Sequence, residues 1–152
     1  MTQDLGALAR AIIDANSYMT LGTADASGLP WVTPVWFAAA DCREFFWVSA
    51  PESRHSRNIA ARAQVAIVIF DSTVPINSGQ ALYMSALAHE LTGADISRGI
   101  DIFSRRSEAQ GVNRWTADDV RPPARHRLYR ATAMEHFVLT PHDERVPVRV
   151  TS

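Results

Sequence analysis

Two runs rich in aromatic and β-branched residues, Tyr18–Ala24 and Trp31–Ala38, flank Asp25-Ala26-Ser27-Gly28-Leu29-Pro30, a segment dense in turn-forming residues. The pattern predicts an antiparallel hairpin and commits the front of the chain to β structure. Glu44–Ser49 (Glu-Phe-Phe-Trp-Val-Ser) reads as a third strand after a turn near Asp41-Cys42-Arg43. Val65–Phe70 is nearly all apolar and Gln80–Leu91 is a longer mixed run, as expected for strands of a substantially buried sheet. Asp71–Gly79, with Pro75, Asn77 and Gly79, is the loop between them. Arg127–Leu139 and Arg145–Val150 resume strand composition.

Helical patterns interrupt this rhythm. Leu5, Leu8, Ala9, Ile12 and Ile13 recur at helical spacing behind a possible N-cap, Asp4, and predict a helix over residues 4–15. Ser53–Arg62 reads as a short helix with Ser53 as its N-cap. Residues 95–109 place Ile96, Ile100 and Phe103 on one face, with Gly99 as a tolerated interruption. Trp115–Ala124 is a Pro-containing connector with about one helical turn. About six or seven strands with two or three inserted helices favour a closed or nearly closed antiparallel barrel.

A chain of 152 residues, 47% hydrophobic, suits one well-buried core, and a single domain spanning residues 1–152 is expected. The formal charge of −1 gives no general attraction to nucleic acid or an anionic membrane, so neither is expected as a partner and any anion site must be local. Cys42 is the lone cysteine, which rules out an intramolecular disulfide, and no CxxC or His-rich cluster predicts a metal site. Without a basic-then-apolar leader or an apolar run of roughly 18 residues, the expected location is the cytoplasm.

The densest polar segment is Ser53-Arg54-His55-Ser56-Arg57-Asn58, directly after the apolar strand. A helix start offers unpaired N–H groups and a positive dipole end, and Ser and Arg side chains add directional donors, so the segment is a sensible phosphate cradle. The same residue types equally suit a solvated helix face. Trp31, Trp36, Trp47 and Trp115 suit either a pocket wall or core packing, and His89 and His136 read as structural histidines. No nucleophile elbow and no GxGxxG motif is present, which argues against triad hydrolysis and a Rossmann fold.

The order and spacing of several segments resemble pyridoxamine-5′-phosphate-oxidase-like FMN-binding split barrels. They are Leu21-Gly22-Thr23, Asp25 through Phe37, Phe46-Trp47-Val48-Ser49, Ser53 through Ile59, Val65 through Phe70, Gly79 through Leu91, and Arg127-Leu128-Tyr129-Arg130. The resemblance spans residues 17 to 150 or so and implies a mainly β fold, a six- to seven-stranded antiparallel split barrel with flanking helices. It implies FMN as cofactor, with the related deazaflavin coenzyme as the alternative. Ser53, Arg54, His55 and Asn58 would lie at or beside the FMN phosphate. Thr33, Pro34, Val35 and Trp36, with Val48 and Ser49, would edge the flavin ring and ribityl chain. Gln80 matches a glutamine that reaches the flavin of a partner subunit, which implies a homodimer. Phe137 and Arg145 stand at cofactor-contacting positions of the family's closing pattern.

The implied activity is hydride transfer between flavin and a small organic substrate or reduced nicotinamide, with the cofactor carrying the redox chemistry. No catalytic side chain is identified. The alternatives are a deazaflavin-dependent reductase and a flavin- or haem-binding module without turnover. Three departures from the family pattern stand out: His55 replaces a lysine, Phe137 replaces a tryptophan, and Pro147 replaces a substrate-holding histidine between Arg145 and Arg149. Efficient oxidation of pyridoxamine phosphate is therefore not expected.

Overall fold

A computed structural model describes residues 4–150. Helix α1 (Leu5–Ala15) starts where expected: the Asp4 carboxylate accepts the Ala7 N–H at 3.0 Å, and Ala9, Ile12 and Ile13 turn into the core. The first hairpin pairs β1 (Tyr18–Ala24) with β2 (Pro30–Trp36). At its tip the Asp25 carboxylate accepts the N–H groups of Ser27 (2.9 Å) and Leu29 (3.0 Å), while Gly28 takes φ +91°, a conformation that favours glycine.

The predicted strand Trp31–Ala38 is interrupted at Phe37 and resumes as a separate short strand, β3 (Ala38–Ala40). This explains why the sheet has eight strands rather than six or seven. The others are β4 (Glu44–Ser49), β5 (Gln64–Phe70), β6 (Ala81–Glu90), β7 (Arg127–Leu139) and β8 (Arg145–Val148). Their order is β2-β1-β5-β6-β7-β4-β3, with β8 added to β7, and every pairing is antiparallel. The first and last members of that order, β2 and β3, are separated in sequence by Phe37 alone. The two ends of the sheet are thus brought together, and the fold is an antiparallel split barrel.

The centre of strand β4, Phe45-Phe46-Trp47, is apolar because it is buried on both faces. Phe45 and Trp47 point into the barrel beside Leu21, Ile67, Leu82 and Val138. Phe46 points outward, beneath a second cluster built with Leu91, Ile100, Phe103 and Leu128. Burying each such side chain contributes about 1.5–3 kcal/mol. Helix α3 (Ala94–Ala109) covers this second cluster. Gly99 lets the helix approach closely at that contact. A Cβ there would come within 2.9 Å of Leu128 and Leu91 side-chain carbons and 3.1 Å of Phe46. Arg98 fastens the helix to β4 through two hydrogen bonds to the Glu44 carboxylate, at 2.9 and 2.6 Å. That pairing, above all the hydrogen bond, holds the Glu44 carboxyl below the ordinary glutamate range.

Helix α2 (Arg54–Ala61) follows β4 and is fixed from below by Asn58, which is buried and donates to the Thr23 hydroxyl of β1 at 3.0 Å. Among the described residues, no helix is long and apolar enough to cross a membrane.

Candidate functional site

A cavity of about 630 Å³ opens between the barrel and α3. One wall is strand: Pro34, Val35 and Trp36 of β2 and Val48 and Ser49 of β4, with His55 from the first turn of α2. The opposite wall is helix and connector: Phe103 and Ser107 of α3, Gln110 at its C-cap, then Trp115 and His126. The volume falls in the range of small-molecule and cofactor sites.

The cavity's shape follows from buried polar bonds on α3. Ser104 and Ser107, both nearly inaccessible to solvent, sit one turn apart. Ser107 donates to the Asn113 carbonyl at 2.7 Å, and the Ser104 hydroxyl accepts the Trp115 N–H at 2.8 Å, so the connector folds back along the helix. Trp115 is thereby set against Phe103, with ring centroids 5.5 Å apart and planes at 82°. Phe103 in turn meets Trp36 at 4.8 Å and 85°. These edge-to-face contacts make a stiff aromatic wall. The Trp36 indole N–H donates to Gln110 Oε1 at 2.7 Å, and Gln110 Nε2 donates to the Ser17 hydroxyl at 3.2 Å, which ties β2, α3 and the entry to β1 together.

Ser53 is the N-cap of α2, yet its side chain makes no capping bond to the helix backbone. Its hydroxyl instead engages the Ala50 carbonyl at 2.8 Å and the Ser56 hydroxyl at 2.7 Å. The amino end of α2 therefore keeps its main-chain donors without a side-chain cap. Burial pushes the His55 imidazole below its ordinary value, and its Nε2 lies 2.8 Å from the Ser49 hydroxyl. Arg54 is exposed, with its guanidinium 4.3 Å from the centre of the Trp31 ring.

Six of the residues singled out from sequence thus meet at one cavity: Pro34, Val35, Trp36, Val48, Ser49 and His55. Thr33 adjoins it in β2, while Ser53 and Arg54 adjoin it at the start of α2. Asn58 lies outside the lining, its amide committed to Thr23. Gln80 is exposed, just before β6 begins, and the predicted strand Gln80–Leu91 accordingly starts one residue later. Phe137 lines a different, almost wholly apolar groove on the outer face of β1, β5 and β6, beside Val32, Ala66 and Tyr83. Arg145 stacks over Tyr83 at 5.5 Å and donates to the Asp143 carboxylate at 2.8 Å. Gln80, Phe137 and Arg145 therefore lie away from the cavity of their own chain. Phe103, Ser107, Gln110 and His126 were not singled out as site residues; the first three follow at helical spacing on α3, the signal that would have grouped them. Among the described residues, no group of three or more His, Cys, Asp or Glu side chains is placed to hold a metal ion.

The family model for pyridoxamine 5′-phosphate oxidase matches residues 5–133. No curated protein matches the sequence. Among solved structures, a haem-binding protein from Mycobacterium smegmatis superposes with a TM-score of 0.77 at 13% identity, over 97% of this chain and 59% of that one. HutZ, a haem storage protein from Vibrio cholerae, gives a TM-score of 0.72 at 19% identity, over 90% of this chain and 95% of its own. Campylobacter jejuni ChuZ gives 0.70 at 13% identity, over 90% of this chain and 55% of its own. This chain thus spans little more than half of the Mycobacterium and Campylobacter proteins. At these identities the likeness establishes the fold alone.

Proposed function

Because the chain belongs to the pyridoxamine 5′-phosphate oxidase family, we propose that it binds FMN in the cavity between β2, β4, α2 and α3 and acts as a flavin-dependent oxidoreductase. The observation that carries this reading is the convergence of Pro34–Trp36, Val48, Ser49 and His55 on one cavity that ends at the amino terminus of α2. The donor set fits the cofactor. Main-chain edges of β2 and β4 supply donors and acceptors for a flavin ring and ribityl chain. Ser53, Arg54, His55 and the first N–H groups of α2 supply a phosphate end. Asn58 serves that end indirectly, by anchoring α2 to β1.

Bound FMN supplies hydride transfer with an organic partner. The chain's own residues bind, orient and dry the site. The Trp36, Phe103 and Trp115 wall excludes water, and Gln110 fixes the indole of Trp36. His55, neutral at pH 7, offers Ser49 one hydrogen-bond partner and the phosphate end a weaker attraction than a lysine would.

Gln80, Phe137 and Arg145 belong in this reading to the cavity of a second subunit. Support comes from Phe137, which lines the apolar groove of β1, β5 and β6, and from Arg145, which lies over Tyr83 of the same groove, where Val32 is also exposed. An apolar face of this kind suits an interface. The chain then acts as one domain of a homodimer.

Haem binding without turnover is the second reading. It is favoured by His55 and His126 lining the cavity, since imidazole is a haem ligand, and by the haem-related names of two structural relatives. Mass spectrometry of the small molecules released from natively purified protein separates the readings. FMN is expected; the deazaflavin coenzyme, haem or no cofactor would contradict the proposal.

A further inference from the structure

The cavity carries no fixed charge: none of its lining residues is Asp, Glu, Lys or Arg. Arg114 and Arg125, next to Trp115 and His126, are exposed and lie outside the lining, and two further basic groups on the α3 side are committed elsewhere. Arg106 donates to the main-chain carbonyls of Asp14 and Asn16, and Arg127 donates to those of Ala124 and His126. Exposed arginines stand at the opposite end, Arg54 and Arg57 on α2, where the cofactor phosphate is placed.

The α3 side is instead aromatic and neutral. Phe103 is held between Trp36 and Trp115 by two near-perpendicular ring contacts. The polar groups there are uncharged amide and hydroxyl, from Gln110 and Ser107, with the His126 imidazole at the rim. A charged guest entering this compartment loses its hydration and finds no counter-charge, a strongly unfavourable exchange. A flat, uncharged conjugated ring loses little hydration and gains contact with the aromatic faces.

We infer that the α3 wall, with Phe103 and Trp115 at its centre, is a substrate compartment selective for uncharged flat aromatic compounds over phosphorylated or carboxylated ones. This rests on the reading of the β2 and β4 wall as the flavin side. Trp115 and Val112 are then specificity-determining residues. Trp115 provides ring contact, and Val112, exposed at the mouth, adds an uncharged side chain to the lining.

The test uses FMN-loaded protein whose flavin content is first read from its visible absorbance. Equilibrium dialysis then compares two nearly isosteric probes at pH 7, naphthalene-2-carboxamide and naphthalene-2-carboxylate. The amide should bind at least about tenfold more tightly, on the scale of one unpaired charge in a low-dielectric site. Trp115→Leu should weaken amide binding severalfold, measured per flavin-loaded chain. Val112→Arg, a change at an exposed position, should narrow the preference by strengthening carboxylate binding. Equal or reversed affinity in flavin-loaded protein would overturn the inference and leave the flavin reading standing. Protein that takes up no flavin would overturn the cofactor reading and the inference with it.

Discussion

The guanidinium of Arg54 rests 4.3 Å from the centre of the Trp31 ring, in a contact that competes with any anion at the start of α2. The ring is 40% exposed, so the contact contributes about 0.5–1 kcal/mol. A hydrogen bond to a charged phosphate contributes about 1.5–3 kcal/mol and wins. Arg54→Ala should therefore weaken FMN binding by about 1.5–3 kcal/mol and leave riboflavin nearly unaffected. Trp31→Leu should leave FMN affinity unchanged or raise it by less than about 1 kcal/mol, because the guanidinium no longer has to leave a ring. Calorimetric titration of both ligands decides; equal losses for FMN and riboflavin in Arg54→Ala would refute the phosphate role.

His55 sets a pH dependence with two opposite signs. Its folded value lies below 6.5 because burial disfavours the imidazolium, so the unfolded chain takes up this proton first as pH falls. Its contribution to stability is full above about pH 6.5 and declines as pH drops from there toward the folded value. Phosphate binding runs the other way, since the protonated ring attracts the anion. Between about pH 7.5 and 5.5 the ratio of FMN to riboflavin affinity in the wild type should rise relative to His55→Gln, in which only the phosphate titrates. Parallel ratios in both proteins would remove His55 from the phosphate site.

Pro147 of β8 pairs with Phe137 of β7 and lines an open groove with Arg43 and Arg149, apart from the aromatic cavity of its own chain. It offers neither a side-chain donor nor a backbone N–H. Flavin-loaded protein should convert pyridoxamine phosphate under air far more slowly than about 1 per second, the lower edge of ordinary enzyme turnover. Pyridoxal phosphate formation at or above that rate would contradict the assignment of Pro147.

The apolar groove beside Phe137 and Tyr83 should be covered by a second copy of the chain. An obligate interface of this kind buries on the order of 2,000 Å² or more. Sedimentation should show a dimer at micromolar concentration, and Val32→Glu, on an exposed position of the same face, should shift it toward monomer. A flavin-bound wild-type monomer would refute the shared site.

Much of the barrel was legible because its signals are local. β1, β4 and β7 fall on the predicted residues, where period-two or continuous apolar runs end in turn chemistry. The break at Phe37 was not legible: Trp36, Phe37 and Ala38 are all strand-compatible, and the interruption comes from the chain crossing between the two ends of the sheet. The strand wall of the cavity was legible only through the family resemblance, which singled out Pro34, Val35, Trp36, Val48 and Ser49. The α3 wall was missed because Ser104 and Ser107 read as ordinary polar positions until the connector folds onto them. Asn58 shows the converse, a polar residue in a binding-like segment whose amide is buried against Thr23.

The cavity between β2, β4, α2 and α3 is the proposed FMN site. Cofactor-free protein should be titrated separately with FMN, riboflavin and haem, following the flavin band near ~450 nm and the haem Soret band near ~400 nm. Saturation at about one FMN per chain is expected, with riboflavin weaker by roughly 1.5–3 kcal/mol and no stoichiometric haem complex. Stoichiometric haem binding tighter than FMN, lost on replacing His126 or His55, would contradict the FMN site.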